Sequence, residues 1–171
     1  EPVIIEPRPQ VEVPKLSASE QASYTKGIGH MKALEYEQAE QLFSGLLVSQ
    51  PRLVGAIVNL ALVDQAKGHS DKALERYESA LAINPNYISA LIQSAGIYQQ
   101  LGKFSKAETN LRRAHKLDKN SPLVNYNLGV LYELYLQDYD LAIEHYEAYV
   151  AHSKSDDVKT VERWIKLLER R

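Results

Sequence analysis

The sequence predicts an all-α fold, a solenoid of four stacked helix pairs with a C-terminal capping helix. Three observations carry that prediction. Ala39, Ala73, Ala107 and Ala142 recur at steps of 34, 34 and 35 residues. Phe43, Tyr77, Leu111 and Tyr146 follow four residues after each alanine, so one small and one bulky residue share a helix face in every unit. Breakers stand between the periodic stretches at Pro51, Gly68, Pro85 and Gly102. A period of this length marks a stack of helix pairs, each burying its apolar side on the next.

The elements follow in order. Residues 1–16 are expected to be an extended Pro-rich arm or linker, because Pro2, Pro7, Pro9 and Pro14 each fix φ and restrict the residue before them. Val3, Ile4 and Ile5 make this segment greasier than a plain stalk, so a docking arm is the sharper reading. The helical domain is expected over 17–171. Ser17 or Ser19 caps the first helix, with Glu20 in the opening turn. Unit one spans about 20–53, with a first helix to Lys32 and a second over Tyr36–Ser49. Unit two, 54–87, has helices over Val54–Lys67 and Asp71–Ile83 about a turn at Gly68-His69-Ser70. Unit three, 88–121, turns at Gly102-Lys103 with Ser105 as the expected cap. Unit four, 122–156, starts at Pro122, and its inter-helix turn Leu136–Asp140 is read as holding the extra residue of the 35-residue step. The capping helix, about 156–171, takes Ser155 as its cap and buries Val158, Val161, Ile165 and Leu168 together with Trp164.

Composition excludes several classes. Apolar residues make up 44% and charged residues 25%, as in a folded water-borne domain. A net charge of -2 creates no field that recruits nucleic acid, and Arg112-Arg113 and Arg170-Arg171 are isolated pairs rather than basic runs. With no cysteine there is no disulfide, thiol nucleophile or thiolate metal site, and no cofactor is expected. No apolar stretch is long enough to span a bilayer. His30, His69, His115, His145 and His152 show no paired zinc-ligand spacing. Gly27-Ile28-Gly29 lies inside a predicted helix with no strand before it, so it is no phosphate loop. No nucleophile stands with a base, and the chain is read as not an enzyme.

The spaced residues resemble the tetratricopeptide repeat family over about 20–156. The eighth residue of each unit is small (Gly27, Ala61, Ala95 and Gly129), as is the alanine series, so paired helices approach closely. There are departures: Ser23, Ile57, Leu91 and Asn125 stand where the family often has tryptophan. Leu46 and Tyr149 replace the small residue kept at Ala80 and Ala114. The resemblance implies a right-handed superhelix in which the first helix of each pair lines a concave groove for a peptide or protein partner.

That implication places the partner-binding strip on Tyr24, Thr25, Ile28, Val58, Asn59, Leu62, Gln65, Ile92, Gln93, Gln99, Tyr126, Asn127, Val130 and Glu133. Thr25, Asn59, Gln93 and Asn127 recur every 34 residues, and carboxamides both donate to and accept from a peptide backbone. Such an amide also serves helix-to-helix bonding, so the ladder reads as binding or as architecture. Family members that grip a terminal carboxylate use cations, whereas the matching residues here are Tyr24, Ile28, Asn59, Ser89 and Gln93, or one repeat on, Val58, Leu62, Gln93, Leu123 and Asn127. A carboxylate clamp is therefore not expected. Among the clustered tyrosines, Tyr132, Tyr146 and Tyr149 are expected to pack against the cap and Trp164, and Tyr135 and Tyr139 to be exposed.

The function expected is a non-catalytic protein-interaction scaffold. Its Pro-rich start at Glu1 and its terminal helix look like bacterial envelope members of the family, which implies a periplasmic protein assisting pilus-secretin or cell-wall assembly. A signal or lipid anchor upstream would tether it to the outer membrane; a cytoplasmic location is the alternative. The rival expectation is a homo-oligomer in which the arm of one copy enters a neighbour's groove. An enzymatic role would need a catalytic domain beyond this chain.

Overall fold

The computed structural model describes residues 14–171. The expected Pro-rich arm lies, over 1–13, outside the described residues. Among the described residues there are α-helices and one π-helical segment, and no strand. The chain divides into two compact units, Glu1–Pro85 and Asn86–Arg171.

Unit 1 holds α1 (Ala18–Lys32), α2 (Tyr36–Ser49), α3 (Val54–Ala66) and α4 (Ser70–Ile83). Helix α1 opens with a capping box: the Glu20 N–H donates to Ser17 Oγ at 3.3 Å and the Ser17 N–H to Glu20 Oε2 at 2.8 Å. Glu20 Oε1 also accepts from Ser49 Oγ and Gln50 Nε2, which ties the start of α1 to the end of α2. The core gathers Ala39, Phe43, Leu46, Leu53, Ala56, Leu60 and Val63. A Cβ on Gly27 would stand 2.8 Å from Phe43 Cζ, so only glycine admits the ring there. Buried Asp64 is held by Arg76 Nε at 2.6 Å and Lys72 Nζ at 3.0 Å, which satisfies a charge that burial would otherwise penalise heavily.

Unit 2 holds α5 (Ile88–Gln100), α6 (Phe104–Leu117), α7 (Pro122–Leu131), the π segment (Tyr132–Leu136), α8 (Tyr139–His152) and α9 (Val158–Leu168). Ala107, Val124, Leu128, Leu131 and Ala142 are wholly buried, and α9 lays Val161, Ile165 and Leu168 against α8. Trp164 packs on Tyr146 and Tyr126 at centroid distances of 5.8 and 6.4 Å, as the stripe of α9 predicts.

The predicted helix spans agree with the observed ones to within a few residues, and three local expectations are corrected. The extra residue of the fourth pair is not in an enlarged turn. It is absorbed by the π segment, where the Gln137 N–H reaches back to Tyr132 O and the Asp138 N–H joins it at 3.0 Å. Ser105 does not cap α6, because Gly102 at φ 68 reverses the chain and the Lys103 carbonyl already receives the Ala107 N–H at 3.1 Å. Ser155 does not cap α9: its N–H donates to Ser153 Oγ in the preceding bend, and Asp157 occupies the cap position, its carboxylate taken by the Tyr149 hydroxyl.

Candidate functional site

In unit 1 the predicted strip lies on α1 and α3. Tyr24 reaches across from α1: its hydroxyl accepts from Asn59 Nδ2 at 3.0 Å, and its ring meets Phe43 edge-on at 5.5 Å. A Cβ on Gly55 would come within 2.6 Å of the Tyr24 hydroxyl oxygen, so the missing side chain is what admits it. Asn59 is thereby buried and engaged. Thr25 is exposed but turns its hydroxyl back to Gln21 O at 2.9 Å. Ile28 and Leu62 stay half-buried, while Val58 is only 3% exposed and contributes little surface. Gln65 Oε1 accepts from the Tyr77 hydroxyl at 3.1 Å, and burial first, then the Asp64 carboxylate, raises the Tyr77 phenol well above its ordinary range.

In unit 2 the strip lies on α5, α7 and the π segment, and α5 also touches α7. Gln93 is half-buried, and Ile92 beneath it retains 8% exposure. Asn127 Nδ2 bonds its own helix at Leu123 O, 2.7 Å away, and the residue is half-buried. Leu123, at the preceding turn, is 55% exposed and belongs to this face; its spacing of four from Asn127 is the signal that marks it. Tyr126 is half-buried among Tyr149, Tyr146 and Trp164, and burial followed by the Asp157 charge raises its phenol. Val130 is half-buried. Glu133 Oε2 accepts from the Tyr146 hydroxyl at 2.7 Å, repeating the Gln65–Tyr77 bond of unit 1. The third pair has Leu111 where those pairs have tyrosine, and Gln99 Nε2 is buried with no hydrogen-bond partner among the described residues.

The remaining tyrosines divide as their spacing predicts for three of them: Tyr132, Tyr146 and Tyr149 are buried. Tyr132 stacks on His145 at 5.7 Å rather than on Trp164, and burial with the Glu108 hydrogen bond pushes its phenol up to about 12. Tyr135 is 41% exposed beside Phe104, and Tyr139 is half-buried under the Arg171 guanidinium. His145 is bound through Nδ1 to Asn125 Oδ1 at 3.0 Å, and burial, then neighbouring His115, holds its imidazole below its ordinary range. Among the described residues no three His, Asp or Glu side chains converge as a metal site.

Charge is sorted by helix. The first helices of the last three pairs are almost free of it: α3 carries only the buried Asp64, and α5 and α7 carry no charged residue. The second helices bear it instead, with Lys72, Glu75, Arg76 and Glu78 on α4 and Lys106, Glu108, Arg112, Arg113 and Lys116 on α6.

Paired helices at this spacing, with a buried alanine and a bulky residue in each second helix, define a tetratricopeptide repeat array. Models of the tetratricopeptide repeat match residues 64–125 and 95–157 and together cover more than half of the chain. The chain belongs to the tetratricopeptide repeat family. It is 32% identical over 127 residues to anaphase-promoting complex subunit 3 of Schizosaccharomyces pombe, a match covering 73% of this chain and 19% of that protein. It is 31% identical over 140 residues to a probable UDP-N-acetylglucosamine–peptide N-acetylglucosaminyltransferase SPINDLY of Hordeum vulgare, covering 78% of this chain and 15% of that one. The chain therefore spans less than a fifth of the length of these curated relatives. A tetratricopeptide repeat protein from Parabacteroides merdae shares the fold at a TM-score of 0.73 with 20% identity, covering 90% of this chain and 61% of that one.

Proposed function

We propose that the chain is a non-catalytic scaffold whose first-helix faces receive an uncharged, backbone-exposing segment of a protein partner. The observation that carries this reading is the near absence of charge on α3, α5 and α7 beside the charged second helices. A face that desolvates no ions is inexpensive to cover, and its amides at Gln93 and Asn127 supply direction to the contact. In unit 2, Leu123, Tyr126 and Val130 are the apolar contacts, and the side-chain amides of Gln93 and Asn127 bond the partner's peptide groups. In unit 1, Ile28, Leu62 and Thr25 form the corresponding surface, while Tyr24 and Asn59 hold α1 to α3 behind it. The chain's similarity to a protein named as a subunit of a larger complex fits a scaffold.

A pull-down compares the wild type with Gln93→Ala/Asn127→Ala, read by mass spectrometry, with circular dichroism confirming unchanged helicity. A partner held by the wild type and lost by the folded variant is the expected result. Equal retention by both removes the first-helix faces from the proposal. Assistance to pilus-secretin or cell-wall assembly in a bacterial envelope is the finer part of this reading. Fractionation of cells expressing the complete gene tests it, and recovery from the cytosol alone removes it.

A further inference from the structure

We propose that unit 2 pairs with unit 2 of a second copy of this chain, the exposed face of α6 of each copy lying on the exposed face of α8 of the other. Helix α6 carries Lys106, Arg112, Arg113 and Lys116 against the one acid Glu108. Helix α8 carries Asp140, Glu144 and Glu147 and neither lysine nor arginine. Lys106, Arg112, Lys116 and all three acids are exposed. The spacing of Asp140, Glu144 and Glu147 places them along one stripe of α8, and Arg112 and Lys116 lie one turn apart on α6. Helix α6 approaches α8 where His115 meets His145 edge-on at 5.2 Å. The pairing takes the cationic stripe of α6 and the anionic stripe of α8 as one surface of unit 2.

The stripes do not neutralise each other inside the chain. Among the described residues, Lys116, Asp140, Glu144 and Glu147 enter no ion pair, and Arg112 has only Glu108 of its own helix at 3.3 Å. A two-fold axis parallel to the helices and midway between them lays positive on negative twice, because it exchanges the two stripes. An axis across the helices would set like on like. Isologous pairing therefore has one complementary solution on this surface, and the second copy supplies the charges it matches.

Sedimentation of the full chain tests the pairing at about 50 mM and about 500 mM salt, where screening differs several-fold in range. The expected species at low salt is twice the 19.3 kDa chain, dissociating at high salt. Arg112→Glu/Lys116→Glu and Glu144→Lys/Glu147→Lys should each be monomeric alone, and an equimolar mixture of the two should recover the dimer. A wild type that stays monomeric at low salt overturns the proposal. So does a dimer that survives either reversal, or a mixture of the two variants, each helical by circular dichroism, that fails to recover it.

Discussion

Gly129 and Tyr146 show how closely one residue controls a helix pair. A Cβ at Gly129 would lie 2.5 Å from the Tyr146 ring, and that ring is 1% exposed with its hydroxyl anchored on Glu133. It has nowhere to swing. Gly129→Ala should therefore destabilise the protein by about 1–3 kcal/mol, as overpacking does, despite alanine's better helix propensity. Gly29→Ala is the control: nothing stands within 4 Å of its Cβ, and thermal melts should show it neutral or slightly stabilised. The unpartnered Gln99 amide offers the opposite experiment. Tyr77 bonds Gln65 and Tyr146 bonds Glu133, but Leu111 has no hydroxyl for Gln99. Leu111→Tyr should supply that partner and raise stability by about 0.5–1.5 kcal/mol in denaturant titration. A loss of stability there would mean that the third pair lacks the space the second has.

Elements are joined at their ends by a small set of devices. The turn inside each helix pair passes through one left-handed residue: Leu34 at φ 60, Gly68 at 83, Gly102 at 68 and Gln137 at 55. The two glycines were legible as turns, whereas Leu34 and Gln137 were not, because side-chain type predicts φ only where the turn has selected glycine. The chain accepts the strain at Leu34 because the flanking helices dictate the reversal. At the start of α1 the capping box creates a pH dependence. The Ser17 N–H first, then the Ser49 and Ser17 hydroxyls, pull the Glu20 carboxyl from 4.5 down to about 2. A depressed folded value means stability that is fully present above 4.5 and lost as pH falls through about 2. Melting temperatures of the wild type and Glu20→Gln should accordingly differ at neutral pH and converge over that window. A gap that persists at pH about 2 would locate the effect in packing rather than ionisation.

Across the whole molecule, the first helices of the last three pairs carry almost no charge and the second helices α4 and α6 bear it, so the two kinds of helix differ in solvent behaviour. Contacts made by α3, α5 and α7 involve almost no ions, so partner affinity at the first-helix faces should change little between about 50 and about 500 mM salt. Calorimetry with the captured partner checks this. A steep loss of affinity with salt would transfer the binding surface to the charged second helices. Which amides remain available was not legible in the sequence. Asn59 and Tyr24 are 35 residues apart, and only the packing of α1 on α3 brings them to a hydrogen bond.

The sequence by itself determined the all-α repeat, the helix spans and the buried series at Ala39, Ala73, Ala107 and Ala142, because period and breakers are local signals that every unit repeats. Tertiary structure decided where the irregular residues went. It drew the extra residue of the fourth pair into the π segment and moved the starts of α6 and α9 off Ser105 and Ser155. It also committed Asn59, Gln65 and Glu133 to internal bonds while leaving Gln93 at the surface. Those outcomes depend on which side chain arrives opposite another across a helix interface, a long-range fact that no single unit's spacing contains.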